Sequence, residues 1–197
     1  MDTKFYLTLI PMFEELQGER VLIRPYREAD AQALFDAITE SREHIRPWLA
    51  LVDKNHQTVE DSLDWIIRAR AQYLLREVFH LSIWDKSTGR FLGAIGLHPL
   101  NWEIGYFSIG YWLSASATGQ GYTTEAVKLL RDFAFSSLKA QRVEIRCDER
   151  NERSAAVPRR LGFVQEARLR NNMAAPDGKL RNTLVFSQIP EDLLSQN

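Results

Sequence analysis

Cysteine is almost absent: Cys147 stands alone among 197 residues. A single cysteine excludes an intramolecular disulfide framework and a cysteine-cluster zinc site. Its setting, Arg142-Val143-Glu144-Ile145-Arg146-Cys147, reads as a strand. There it suits a small packing residue better than a nucleophile. Of the four histidines, His44, His56 and His80 are too dispersed in sequence to suggest a metal cluster. Charge of one sign is lacking too. With 25 basic and 26 acidic residues the net charge is -1, so nucleic acid is not the default partner. No segment approaches the ~20 apolar residues of a membrane span. The apolar run from Phe5 to Phe13 is short, has no basic leader or small-residue cleavage site, and meets Glu14 and Glu15. A cytoplasmic enzyme or binding protein is the resulting expectation, with no metal and no membrane.

What is present is a core-forming chain. A hydrophobic content of 45% with 11% aromatics argues against disorder, and the length suits one domain. The most informative stretch is Trp112-Leu113-Ser114-Ala115-Ser116-Ala117-Thr118-Gly119-Gln120-Gly121-Tyr122-Thr123-Thr124. Residues 105–113, rich in Tyr, Phe, Ile and Trp, read as a strand. Ala126, Leu129, Leu130, Phe133, Ala134 and Leu138 recur at helical spacing after it. Thr123 or Thr124 can cap that helix. Gly119 and Gly121 allow a sharp turn and a close backbone approach. Helix amides facing such a loop make an anion site, for which phosphate is the usual occupant. The dinucleotide fingerprint is excluded, since Thr124 stands where its third glycine belongs, and no Gly-Lys-Ser/Thr follows.

Arg20-Val21-Leu22-Ile23-Arg24-Pro25 reads as the first strand, after a lead-in of residues 1–17 that carries no clear element. Residues 29–38 form a short helix with Asp30 near its start. Residues 45–51, containing Pro47-Trp48-Leu49, form a connection. Thr58-Val59-Glu60-Asp61 resembles a capping box, opening a helix with Leu63, Ile66, Ile67 and Leu74 on its buried stripe. Residues 79–84 and 91–98 make a hairpin around Asp85-Lys86-Ser87-Thr88-Gly89-Arg90. Strand 142–148, helix 151–161 and strands 162–164 and 184–186 follow. A Pro176-Asp177-Gly178 turn separates the last two. The order β-α-α-β-β-β-α-β-α-β-β predicts a mixed sheet with helices packed on it. The basic run Arg142, Arg146, Arg150, Arg153, Arg159 and Arg160 is either a solvated face or counter-charge for a polyphosphate.

Two spaced blocks then carry a resemblance. Ile109-Gly110-Tyr111-Trp112-Leu113 with Gly119-Gln120-Gly121-Tyr122 is one; Asn151-Glu152-Arg153-Ser154 followed by Leu161-Gly162-Phe163 is the other. Together they resemble the GNAT acyltransferase superfamily, in its RimJ/RimL branch of ribosomal-protein N-acetyltransferases. The likeness implies an α+β, mixed α/β fold: one GNAT-like domain over 19–188, an N-terminal extension at 1–18 and a C-terminal tail at 189–197. Its sheet is mostly antiparallel, splayed between the fourth and fifth strands, here 105–113 and 142–148, with helices on both faces.

By the same resemblance, acetyl-CoA is the cosubstrate. Its pyrophosphate lies on amides of Ala117, Thr118, Gly119, Gln120, Gly121 and Tyr122, with Thr124 in the helix turn behind. Pantetheine lies in the splay beside Trp112, Leu113 and Ser114, and Asn151 bonds its amide. Ser116 departs from the Gln or Arg that the family often has there. The implied reaction is direct attack of a neutral amine on the thioester, with an oxyanion donor near the Leu113 N–H. Many members protonate the leaving thiolate with a Tyr seven residues after the Asn, but Pro158 stands there. Ser154, three after the Asn, matches the RimL-like branch as proton donor; the alternative is that it caps its helix. The base is open. The RimL-like Glu position is Met173, and Glu103 and His98 are candidates. Trp48 lies where the family's acceptor loop runs. The implied acceptor is a protein N-terminus or a small amine, and a homodimer is left open. A non-catalytic acyl-CoA-binding module and a nucleotide-binding protein of another fold are the alternatives.

Overall fold

The computed structural model describes residues 6–49, 55–175 and 178–194. The Pro176-Asp177-Gly178 turn and the connection at 45–51 therefore lie partly outside the described residues. The strands are β1 (Leu16–Gln17), β2 (Val21–Pro25), β3 (Phe79–Asp85), β4 (Phe91–Asn101), β5 (Tyr106–Leu113), β6 (Arg142–Asp148), β7 (Val164–Ala174) and β8 (Leu180–Gln188). The helices are α1 (Ala31–Ile45), α2 (Val59–Leu75), α3 (Tyr122–Ser136), α4 (Glu152–Arg160) and α5 (Pro190–Leu194). One sheet holds the strands in the order β1-β2-β3-β4-β5-β6-β8-β7. Every neighbouring pair is antiparallel except β5 and β6, which α3 joins as a crossover.

Strand alternation sends successive side chains to opposite faces, and two cores result. Phe79, Leu81, Ile95, Leu97, Phe107, Ile109, Val143 and Ile145 meet Ala126, Val127 and Leu130 of α3 and Ala155 and Val157 of α4. Across the sheet, Trp84, Ala94 and Trp112 meet Leu34 and Ile38 of α1 and Ile66 of α2. This is the mixed α/β, mostly antiparallel sheet with helices on both faces that the sequence implies. Cys147 packs in the first core at 8% exposure.

Several local rules hold. Thr58 Oγ1 accepts from the Asp61 N–H at 3.1 Å, and Asp61 Oδ2 accepts from the Thr58 N–H at 2.9 Å, a complete capping box. Others are corrected. The buried face of α2 is Ser62, Ile66, Ala69 and Tyr73, whereas Ile67 and Leu74 are 49% and 66% exposed. Long-range partners set that rotation: Ser62 Oγ pairs with His56 Nδ1 at 2.9 Å, and the Tyr73 hydroxyl donates to the Phe13 carbonyl at 2.5 Å. α1 runs seven residues past the predicted end at residue 38, to Ile45. The closing strands at 162–164 and 184–186 are a long hairpin, 164–174 and 180–188. The α3 N-cap is Gly121 at φ 84°, not Thr123 or Thr124, and no side chain caps it.

Candidate active site

β5 and β6 pair only through Tyr106–Ser108 against Arg142–Glu144, although β5 continues to Leu113 and β6 to Asp148. Beyond that zipper the two strands part. The Ser114 N–H donates to the Leu92 carbonyl at 2.8 Å. Alternation of antiparallel amides therefore turns the Ile109, Tyr111 and Leu113 N–H groups toward the parting. A cavity of about 1470 Å³ occupies it, reaching α1 on one face of the sheet and α3 and α4 on the other.

The glycine loop forms one side of this cavity. Gly119 and Gly121 sit at φ 77° and 84°, conformations that side chains disfavour. A Cβ on Gly121 would lie 3.1 Å from Arg20 Nη2, while one on Gly119 would meet nothing within 4 Å. Arg20 Nη1 donates to the Gln120 carbonyl at 2.9 Å. Glu125, in the first turn of α3, accepts from the Arg20 and Val21 N–H groups at 2.8 and 3.2 Å. The loop is thus braced by β2 from behind. Its unbonded amides and the positive end of α3 are free to meet an anion.

The opposite side is the start of α4. Asn151 is its N-cap, its Oδ1 accepting from the Ser154 N–H at 3.0 Å. The cap is therefore Asn151, not Ser154, and the Asn151 NH₂ is the part of that side chain left to reach a ligand. Pro158 lies inside α4 and supplies no N–H to the carbonyl four residues back, that of Ser154. The Tyr111 hydroxyl takes that place, donating to the Ser154 carbonyl at 2.9 Å. Ser154 Oγ is 3.4 Å from the same hydroxyl. Burial pushes the Tyr111 phenol well above its ordinary range, so it stays a neutral donor. Burial likewise raises the Cys147 thiol to about 11, which leaves it a protonated packing residue on the cavity wall.

Of the residues singled out from sequence, Trp48, Trp112, Leu113, Thr118, Gly119, Gly121, Thr124, Asn151 and Ser154 line the cavity together. Ser114 and Ala117 are buried under the loop, at 2% and 0% exposure. Gln120 folds its side chain back onto the Ser116 carbonyl at 3.0 Å. The Tyr122 hydroxyl turns away to Asp85 Oδ2 at 2.9 Å, so only its backbone is left for a ligand. Glu103 is not brought to the site. It sits in the exposed β4–β5 turn, its N–H held by Asn101 Oδ1 at 2.9 Å, at the end where β5 and β6 are zipped. His98 is off the wall as well, its ring 5.7 Å from that of His80, and burial lowers its pKa.

The basic run resolves mostly into internal ion pairs. Arg142 binds Glu144 and Glu166, Arg146 binds Glu144, Arg150 binds Asp148, and Arg159 binds Glu152. Arg153 and Arg160 line the cavity, with Arg20 and Lys128 on the side of α3. Sequence reasoning missed His44, Arg20 and Arg181 on the wall. No local pattern marks them. The Tyr111 link did have a signal: a proline inside a helix frees a carbonyl that something must satisfy. Among the described residues no group of three or more His, Cys, Asp or Glu could hold a metal, and no helix is long and apolar enough to cross a membrane.

The overall fold is shared with solved acetyltransferases, and that is the class the architecture defines. The chain is similar to Mycobacterium smegmatis RimJ in complex with CoA-disulfide, at TM-score 0.79 and 26% identity, covering 88% of this chain and 83% of that one. It shares the fold of RimL, the ribosomal L7/L12 alpha-N-protein acetyltransferase solved with coenzyme A, at TM-score 0.83 and 18% identity, covering 89% and 98%. The Acetyltransferase (GNAT) domain family matches residues 20–164, and the chain belongs to that family. In sequence it is similar to the N-acetyltransferase p20 of Bacillus licheniformis, 32% identical over 91% of this chain and 98% of that protein. It is also similar to the ribosomal-protein-serine acetyltransferase of Escherichia coli K12, 26% identical over 75% and 91%. The protein is a GNAT-family acyltransferase of the RimJ/RimL type.

Proposed function

We propose that this enzyme transfers the acetyl group of acetyl-CoA to the N-terminal amine of a protein. The observation that carries the reading is the short β5–β6 zipper, which leaves main-chain donors of β5 facing a cavity that ends on the α3 N-terminus. An extended pantetheine arm fits such an edge as an added strand would. The expected cradle over residues 117–122 narrows to the amides of 119–122, because the Ala117 and Thr118 N–H groups donate to the Ser114 and Ala115 carbonyls at 3.0 and 3.3 Å; with Arg20, Lys128 and Arg160 nearby, the remaining amides suit a diphosphate. Acetyl-CoA supplies the activated acyl carbon; the chain supplies position, donors and proton handling.

The Leu113 N–H, held rigid by the β4 ladder, is the donor for the acyl oxygen as charge develops on it. Ser154 Oγ holds the proton for the leaving sulfur. Its partner Tyr111 is neutral and fixes where the Ser154 main chain sits. With Glu103 far from the cavity, His44 is the imidazole on the wall, and it takes the proton of the incoming amine. Relatives named as ribosomal N-acetyltransferases match 82% and 75% of this chain, against 62% for the spermidine acetyltransferase of Escherichia coli K12, which supports the choice of a protein N-terminus over a small amine.

The test is turnover of purified protein with acetyl-CoA, following CoA release. N-terminal peptides of ribosomal proteins and a polyamine panel serve as acceptors. Acetylation of peptides at the α-amine is the expected result. CoA binding without transfer to any amine would leave a non-catalytic acyl-CoA-binding module. Transfer to polyamines alone would overturn the choice of acceptor.

A further inference from the structure

One wall of the cavity, on the β6–β8 side, carries Arg146, Asp148, Arg150 and Arg181. Arg146 is joined to Glu144. Arg150 grips Asp148 with its main-chain N–H, Nε and Nη2 at 2.9, 3.0 and 2.7 Å. Arg181 differs. Its side chain is 14% exposed, and its Nη1 stands 3.6 Å from Asp148 Oδ2, past hydrogen-bond reach. Its cross-strand partner in β7 is Met173, whose thioether sulfur is 3.5 Å from Nη2, and its Nε–H is buried without a partner. Among the described residues, then, no oxygen accepts a hydrogen bond from this guanidinium.

A largely desolvated guanidinium without an oxygen acceptor is costly, and its planar fork of N–H donors matches a carboxylate. We propose that Arg181 anchors a carboxylate of the acceptor, so that the preferred substrate is a peptide N-terminus with an aspartate or glutamate in its first few residues. This rests on the N-terminal amine reading above.

The experiment uses peptides identical except for Asp, Asn or Lys at the second, third or fourth position. Their affinity for the CoA-loaded protein is read by calorimetry, and their acetylation separately. At one position Asp should bind about tenfold tighter than Asn, and Lys should bind weakest. R181M, which keeps the apolar stem, should abolish that discrimination while leaving CoA affinity unchanged. M173E, at an exposed site, should quench it too by giving Arg181 an internal partner, and this covers the case in which R181M does not fold. Equal binding of the Asp and Asn peptides to the wild type, or discrimination persisting in both variants, overturns the subsite. Discrimination by affinity without acetylation of any peptide overturns the acyl-transfer reading and leaves the subsite standing.

Discussion

The hydroxyl of Tyr111 donates to the carbonyl of Ser154 at 2.9 Å, across the parting between β5 and α4. Pro158 makes that bond available by withholding the helical N–H that would otherwise claim the carbonyl. A residue that looks like a lost catalytic tyrosine position is thus part of the brace that locates Ser154. Tyr111→Phe leaves the carbonyl unsatisfied, at a cost of about 1–3 kcal/mol. Pro158→Ala returns an N–H to it, so its effect should be more favourable when combined with Tyr111→Phe than in the wild type. Urea titrations of the four proteins of this cycle measure the coupling. Strict additivity would show that the bond carries no stability.

Ser154→Ala keeps the α4 cap, because that cap is Asn151 accepting from the Ser154 main chain. The variant should fold and bind acetyl-CoA as the wild type does. Its kcat should fall roughly 10²–10⁴-fold, the scale of losing a positioned proton donor. An unchanged kcat would remove Ser154 from the chemistry.

Gly121→Val places a branched side chain at φ 84° and pushes against Arg20, whose guanidinium would lie 3.1 Å from the new Cβ. The loop amides should lose their alignment, and the dissociation constant for acetyl-CoA should rise by about tenfold or more. Gly119→Ala, with open space around it, should carry only the left-handed backbone penalty of about 1–2 kcal/mol. Calorimetric titration of both variants separates the two positions. Equal losses would mean that backbone strain, not contact with Arg20, governs the loop.

Acid should destabilise the fold through His56 and His80 before the carboxylates titrate. Burial lowers both imidazoles to about 4, against ~6.5 in an unfolded chain. Between those values the unfolded state binds more protons, so stability is complete above about pH 6.5 and falls as the pH drops toward 4. The carboxylates with lowered values, Glu144 and Asp148 among them, add their loss only below about 4.5. His80→Gln should flatten the fall in Tm between about pH 6.5 and 4.5. A profile as steep as the wild type's would show that His80 does not carry the effect.

Much of the architecture was legible because its rules are local. The Thr58–Asp61 capping box, the β3–β4 hairpin, β6 at 142–148 and the helix after Gly121 each follow from residues within a turn or two. The site was legible to the same depth. The glycine loop and the Asn151–Ser154 spacing are each built from residues close in sequence, and the fold brings the two blocks to one cavity. Glu103 failed for a directional reason. It precedes β5, and a parallel pair zipped at its N-terminal end opens only at the other. The α2 face failed because hydrophobic period alone does not say which side a helix turns to the sheet. Tyr73 and Ser62 rotate it through partners at Phe13 and His56.

By itself the sequence determined most of the elements and their order, though not β1 (Leu16–Gln17) or α5 (Pro190–Leu194), and where backbone must bend without a Cβ, since propensity, capping and periodicity act over a few residues. Tertiary structure alone decided that Tyr111 meets Ser154, that Glu125 reaches the Arg20 main chain behind the loop, and that Arg181, though within ion-pair range of Asp148, has no hydrogen-bonded oxygen among the described residues. The first two pairs are 43 and 105 positions apart, and only the closed sheet sets their distances. Hydrogen bonds and ion pairs fade within an ångström or two of their optimum. Reactivity therefore follows from how the chain closes on itself.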